Sequence, residues 1–79
     1  MEITDILSSD PEIVSGAVVF KGTRVPLDTM FDHLAAGDSL EVFLDDFPTV
    51  ERVQAEAALQ LAAQDLKQFY AKKAARKQL

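Results

Sequence analysis

A mainly α-helical domain is predicted by three features of the 79-residue sequence: a trihelical unit of helix-turn-helix type behind a short N-terminal β-hairpin or extended segment, ending in a long C-terminal helix. Apolar residues recur at helical spacing in two short runs, 27–35 and 40–47. Gly37 and Pro48 punctuate these runs. Beyond Pro48 there is neither Gly nor Pro, and the chain is rich in Ala, Leu, Gln and Glu, all strong helix formers.

Taken in order, Met1 to Ser9 reads as an extended or loosely ordered segment offering Ile3, Ile6 and Leu7 to a core, and Asp10-Pro11 as a turn or strand entry. Ile13 to Phe20 suits strand better than helix. Val18-Val19-Phe20 and Thr23-Arg24-Val25 flank Lys21-Gly22, where a Gly supplies the positive φ of a tight turn, so a hairpin is expected there. Pro26 lacks an N–H for a ladder and suits the first turn of a helix.

The first helix carries Leu27, Met30, Phe31, Leu34 and Ala35 on one stripe and stops at Gly37. The second begins around Asp38-Ser39. Either residue can cap its free N–H groups, and Glu41 lies three residues after Asp38, as a capping box requires. Its apolar set is Leu40, Phe43, Leu44 and Phe47. The third helix starts between Thr49 and Arg52 and extends to about Ala75. Val53, Ala57 and Leu61 lie on one side of it, whereas Leu59, Ala62, Leu66, Phe69 and Tyr70 spread round another. Two short helices cannot cover both sides. A partner helix is therefore expected, and a homodimer through Leu59, Leu66 and Phe69 is the simplest arrangement.

Charge divides the chain in two. Before residue 67 stand 13 acids and three cations, a net of −10; after it stand Lys67, Lys72, Lys73, Arg76 and Lys77 with no acid, +5. Residues 1–66 thus read as one trihelical domain with its β element, and 67–79 as a basic helical extension or tail. Such a tail meets phosphate or an acidic protein surface, or is simply a frayed helix end whose C-terminal dipole favours Lys and Arg, while an acidic body is a poor non-specific binder of nucleic acid. At 79 residues a single core is marginal, and with no Cys there is neither a disulfide nor a thiolate metal site to reinforce it. No basic leader and no long apolar run is present, so a cytoplasmic protein without membrane insertion is expected.

No enzyme constellation emerges, and no cofactor is expected. Asp38, Glu41 and Asp45 could share one helical face, but without His or Cys at ligand spacing they read as a solvated face opposite the apolar set. His33 is the only His, and its neighbour Asp32 points another way on a helix, so it reads as a surface or boundary residue. Arg24 either meets a phosphate or partner acid, or bonds Asp28 or a nearby carbonyl. Arg24, Arg52 and Gln54 are the side chains available for reading operator DNA, with Glu51 and Glu56 opposing phosphate.

Asp10-Pro11-Glu12-Ile13, Gly16, Gly22-Thr23-Arg24-Val25-Pro26, Leu34, Ala36-Gly37-Asp38-Ser39-Leu40 and Asp45-Asp46-Phe47-Pro48-Thr49-Val50 together resemble a known family. It is a small prokaryotic family of domains of unknown function, whose members are often regarded as antitoxins of Vap-type toxin–antitoxin pairs. The resemblance covers about Ile6 to Ala63. It implies a homeodomain-like trihelical fold and a cognate partner toxin of the PIN-like, metal-dependent ribonuclease kind. Catalysis by this chain is not implied. The family often has Ser or Thr where Glu51 stands and Glu where Val53 stands, so a capping box at the start of the third helix is lost. PIN-like sites are carboxylate-rich, so the tail residues Lys72, Lys73, Arg76 and Lys77, anchored by Phe69 and Tyr70, are the expected toxin-binding set. The alternative is a stand-alone DNA-binding regulator or a dimeric interaction module.

Overall fold

The fold, taken from a computed structural model, is described for residues 2–9 and 17–77, with side chains described as far as residue 75. The order of elements is α1 (Ile3–Ile6), β1 (Leu7–Ser9), β2 (Val18–Phe20), α2 (Leu27–Ala35), α3 (Leu40–Asp46) and α4 (Arg52–Lys77). The readings made for Asp10-Pro11 and for Ile13 to Gly16 lie outside the described residues.

A two-stranded antiparallel element is present at the N-terminal end, but its strands are not the expected ones. β1 pairs with β2 in the register Leu7 to Phe20, Ser8 to Val19 and Ser9 to Val18. The segment 23–26 returns along the other side of β2 only briefly. There the Phe20 N–H donates to the Val25 carbonyl at 3.0 Å, and Val19 bridges Pro26. Pro26 has no N–H with which to continue a ladder. The turn itself is as expected: Gly22 has φ 79°, and the Thr23 N–H donates to the Phe20 carbonyl at 3.0 Å.

Thr23 holds that turn shut. Its hydroxyl donates to the Phe20 carbonyl at 2.8 Å and accepts from the Val25 N–H at 3.0 Å. Thr23→Val keeps the side-chain shape and removes both bonds. It is expected to destabilise the domain by roughly 1–3 kcal/mol, the usual cost of leaving a partly buried donor unpaired. Thermal denaturation followed by circular dichroism measures it; an unchanged midpoint would show the hydroxyl to be dispensable.

Residues 2–9 are ordered, extended only from Leu7 to Ser9 and helical before that. One turn of helix places Ile6 in the core with no exposed surface, and the Lys21 N–H donates to the Ile6 carbonyl at 2.8 Å. The Lys21 ammonium reaches the Thr4 carbonyl at 3.2 Å. Thus residues 2–9 and the Lys21-Gly22 turn support one another across a long sequence gap.

α2 ends in a Schellman motif: Gly37 (φ 95°) donates to the Leu34 carbonyl at 3.1 Å, and Asp38 donates to the His33 carbonyl at 3.0 Å. Of the two capping residues open at α3, Ser39 is used, its hydroxyl accepting from the Val42 N–H at 3.2 Å. Asp38 instead turns back to His33, 3.1 Å from its Nδ1. The chain then turns at Pro48, with the Val50 N–H on the Phe47 carbonyl at 3.0 Å, and enters α4. At that entry half of a capping box survives despite Glu51, because the Gln54 side-chain carbonyl accepts from the Glu51 N–H at 3.0 Å.

The core is Ile6, Phe20, Val25, Met30, Phe43, Val50, Ala55 and Ala58, all buried. Phe43 is its hub, with ring centroids 6.1 Å from Phe20, 5.2 Å from Phe47 and 5.7 Å from His33. α4 meets this core with two alanines because a long helix can approach its neighbours closely only where its side chains are small. The radius of gyration, 14.5 Å, exceeds the roughly 12 Å of an average domain of this length, and the extents are 47 × 30 × 23 Å. The excess length is α4.

Candidate functional site

α4 leaves the body halfway along. Ala55 and Ala58 are buried; Ala57, Leu59, Leu61 and Ala62 are half-buried; residues 63 to 73 are all exposed. Residues 63–77 therefore project by about 22 Å at the helical rise per residue. The expected boundary at residue 66 falls inside a continuous helix, since no Gly or Pro interrupts the backbone ladder.

The projecting half carries large apolar groups in water: Leu66 is 68%, Phe69 59% and Tyr70 72% exposed. Around them stand the exposed Lys67, Lys72 and Lys73, and the Lys73 ammonium sits over the Phe69 ring at 5.4 Å from its centroid. Hydrocarbon and cations are thus presented together on a rigid rod. Such a surface suits a partner offering apolar contact beside carboxylates. Arg76 lies within the helix and Lys77 ends it, but their side chains are outside those described. Of the residues expected to pair two copies, Leu66 and Phe69 are free of the body, whereas Leu59 already packs against the core. The reach of the short elements extends further along α4 than its spacing implied, because α1 also packs on α4.

At the root of the rod a groove opens between α1, the start of α2 and α4. Ile3, Leu7, Leu27 and Leu61 line it, with Glu2 and Asp65 at its rim. Sequence reasoning missed this groove, since α1 was not foreseen as a helix. Its four residues are too few to show a helical period in the sequence.

Two of the three residues expected to read DNA are engaged within the chain. Arg52 donates to Glu41 at 2.9 Å and to Glu56 at 3.5 Å, tying α3 to α4. That hydrogen bond and charge hold the Glu41 carboxyl below the usual carboxylate range, and Glu41 in turn raises the Arg52 guanidinium. Gln54 spends its carbonyl on the α4 cap and its NH₂ on the Lys21 carbonyl at 3.0 Å. Arg24 is exposed and makes no hydrogen bond or ion pair among the described residues, so neither a bond to Asp28 nor one to a nearby carbonyl, the second of its two readings, is formed there. It borders a shallow depression with Ser8, Thr23, Phe47 and Thr49.

His33 does have a carboxylate, but it is Asp38 rather than Asp32. The Schellman turn folds Asp38 back over the helix end, and the imidazole packs edge-on against Phe43 and Phe47. His33 therefore clasps α2 to α3. Among the described residues no three His, Cys, Asp or Glu side chains are grouped to hold a metal ion, and no helix is long and apolar enough to cross a membrane.

These features define a small, mainly helical domain with a two-stranded antiparallel sheet and a projecting terminal helix. The chain belongs to the family described as protein of unknown function DUF433, whose model matches residues 7–62. It is 38% identical over 47 residues to the uncharacterized protein y4eO of Sinorhizobium fredii (strain NBRC 101917 / NGR234). That similarity covers 60% of this chain and 21% of the relative, so the matched stretch spans about a fifth of the curated protein. No solved structure matches. The matched family region ends at residue 62, where α4 leaves the body.

Proposed function

We propose that this chain is an antitoxin that binds and neutralises a PIN-like ribonuclease toxin through the projecting half of α4. One observation carries the reading: Leu66, Phe69 and Tyr70 stand exposed beside Lys67, Lys72 and Lys73 on a rod, while the rest of the chain is strongly acidic. The family resemblance implies a partner whose active site gathers carboxylates. A cationic helix with aromatic anchors complements such a site in charge and in contact, the anchors supplying affinity and the lysines orientation.

Co-expression with the product of the adjacent open reading frame tests this. A complex is expected to co-purify with its ribonuclease activity suppressed. Deleting residues 67–79 is expected to weaken it about a hundredfold, the scale of losing an aromatic anchor together with its charges. Affinity unchanged by the deletion would overturn the tail mechanism.

Autoregulation by DNA contact is proposed as an accompanying role, with α2, α3 and α4 as a homeodomain-like unit of helix-turn-helix type. The unengaged Arg24 favours it, as the one cation of the acidic body that makes no bond among the described residues. Gel-shift titration on the upstream region at several salt concentrations is expected to show sequence-dependent binding that weakens in Arg24→Ala; binding that ignores sequence would reduce the role to electrostatics.

A further inference from the structure

α4 carries a seven-residue repeat that runs from the body into its projecting half, where the body of the chain does not cover it. Leu59, Ala62, Leu66, Phe69 and Lys73 follow one another at alternating steps of three and four, the spacing of a two-helix seam. Leu59 and Ala62 are half-buried against the body, Leu66 and Phe69 are clear of it, and a shallow groove runs beside Ala62, Asp65, Phe69 and Lys72. We propose that the occupant of this seam is α4 of a second copy of the chain, running antiparallel, with Leu66 of each copy packed against Phe69 of the other.

Charge selects both the direction and the register. Asp65 and Lys72 occupy equivalent positions of successive repeats, each immediately before a seam residue, and in an antiparallel pair these flanking positions face one another. With Leu66 opposite Phe69, Asp65 of each copy lies two residues, about 3 Å along the axis, from the level of Lys72 of the other, within reach of two opposite-charge pairs. Tyr70 then lies over Ala63 of the other copy, and the Lys73 stem over Ala62. Helix positions 56 and 77, Glu and Lys in the sequence, fall within the same two-residue offset of one another. Sliding the pair by one repeat in either direction sets Asp65 against Asp65 or Lys72 against Lys72. A parallel pair puts Lys73 against Lys73 within the seam. Among these arrangements the antiparallel register is the one that sets Lys72 and position 77 of one copy beside Asp65 and Glu56 of the other.

The inference rests on reading the projecting half of α4 as a binding surface, and it implies that a toxin and a second copy compete for Phe69. Sedimentation equilibrium of the full chain without toxin, from micromolar concentration upward, tests it. A reversible monomer–dimer equilibrium is expected. Asp65→Lys and Lys72→Asp should each weaken the dimer about tenfold at low salt, since each turns both attractive pairs repulsive. An equimolar mixture of the two variants should recover the parent affinity as a heterodimer, because every facing pair is again of opposite sign. Phe69→Glu should be monomeric with unchanged helix content. A parent that stays monomeric throughout, or a mixture that associates no better than its components, overturns the pairing. With no toxin present, neither result touches the antitoxin reading, which stands or falls on the co-purified complex.

Discussion

Phe43→Ala is expected to lower the thermal midpoint of the domain by roughly 15–30 °C, because truncating a fully buried Phe costs about 3–5 kcal/mol in lost transfer and in the cavity left behind. The site cannot collapse to fill that cavity. Phe43 is held on one side by Phe20, on another by Phe47 and His33, and these come from β2, the end of α3 and α2. Each is anchored by its own backbone bonds, so none can move in without breaking a turn. A domain of 79 residues has about 4–12 kcal/mol in total, so one such substitution removes a large share of it. Val42→Ala supplies the comparison: it is the preceding residue of α3, exposed, and should shift the midpoint little. Similar midpoints for the two variants would show that Phe43 is not the hub.

Deleting residues 1–9 is expected to abolish cooperative unfolding altogether. The deletion removes Ile6, whose burial contributes about 1.5–3 kcal/mol, and strips β2 of its paired strand. It also uncovers Val19 and Phe20, which are almost wholly buried. It frees the Lys21 N–H from the Ile6 carbonyl, and removes the helical turn that packs on α4. Each hydrogen bond lost is worth about 1 kcal/mol, and the apolar surface exposed adds more, so the sum is comparable with the whole stability. Had the segment been the loose extension that its sequence implied, deletion would leave the urea transition intact. Urea unfolding followed by circular dichroism separates the two outcomes.

The difference between these two predictions shows where sequence reading succeeds. Phe43 could be placed in advance because Leu40, Phe43, Leu44 and Phe47 keep helical spacing between a capping Ser39 and Pro48. α1 could not, because four residues are too few to show a period, and one turn of helix is formed only with tertiary support. For the candidate site, the exposure of Leu66, Phe69 and Tyr70 was legible as apolar surface that two short helices could not cover. Leu59 was legible as apolar, but not as a residue already half-buried against the core. Gln54 and Arg52 were legible as polar groups, but not as side chains occupied by Lys21 and Glu41, 33 and 11 residues away.

By itself the sequence determined α2, α3 and α4, their stops at Gly37 and Pro48, and the separation of an acidic body from a basic end. These depend on local propensity, on backbone geometry at single residues, and on charge, all of which are properties of neighbours in the chain. Only the tertiary structure decided that Leu7–Ser9 pairs with β2, that Asp38 serves His33 while Ser39 caps α3, and that α4 parts from the body after Ala62. Each of those choices is a competition between partners with similar local chemistry. It is resolved by which arrangement buries Ile6, Phe20 and Phe43 together, and burial is a property of the assembled core rather than of any stretch within it.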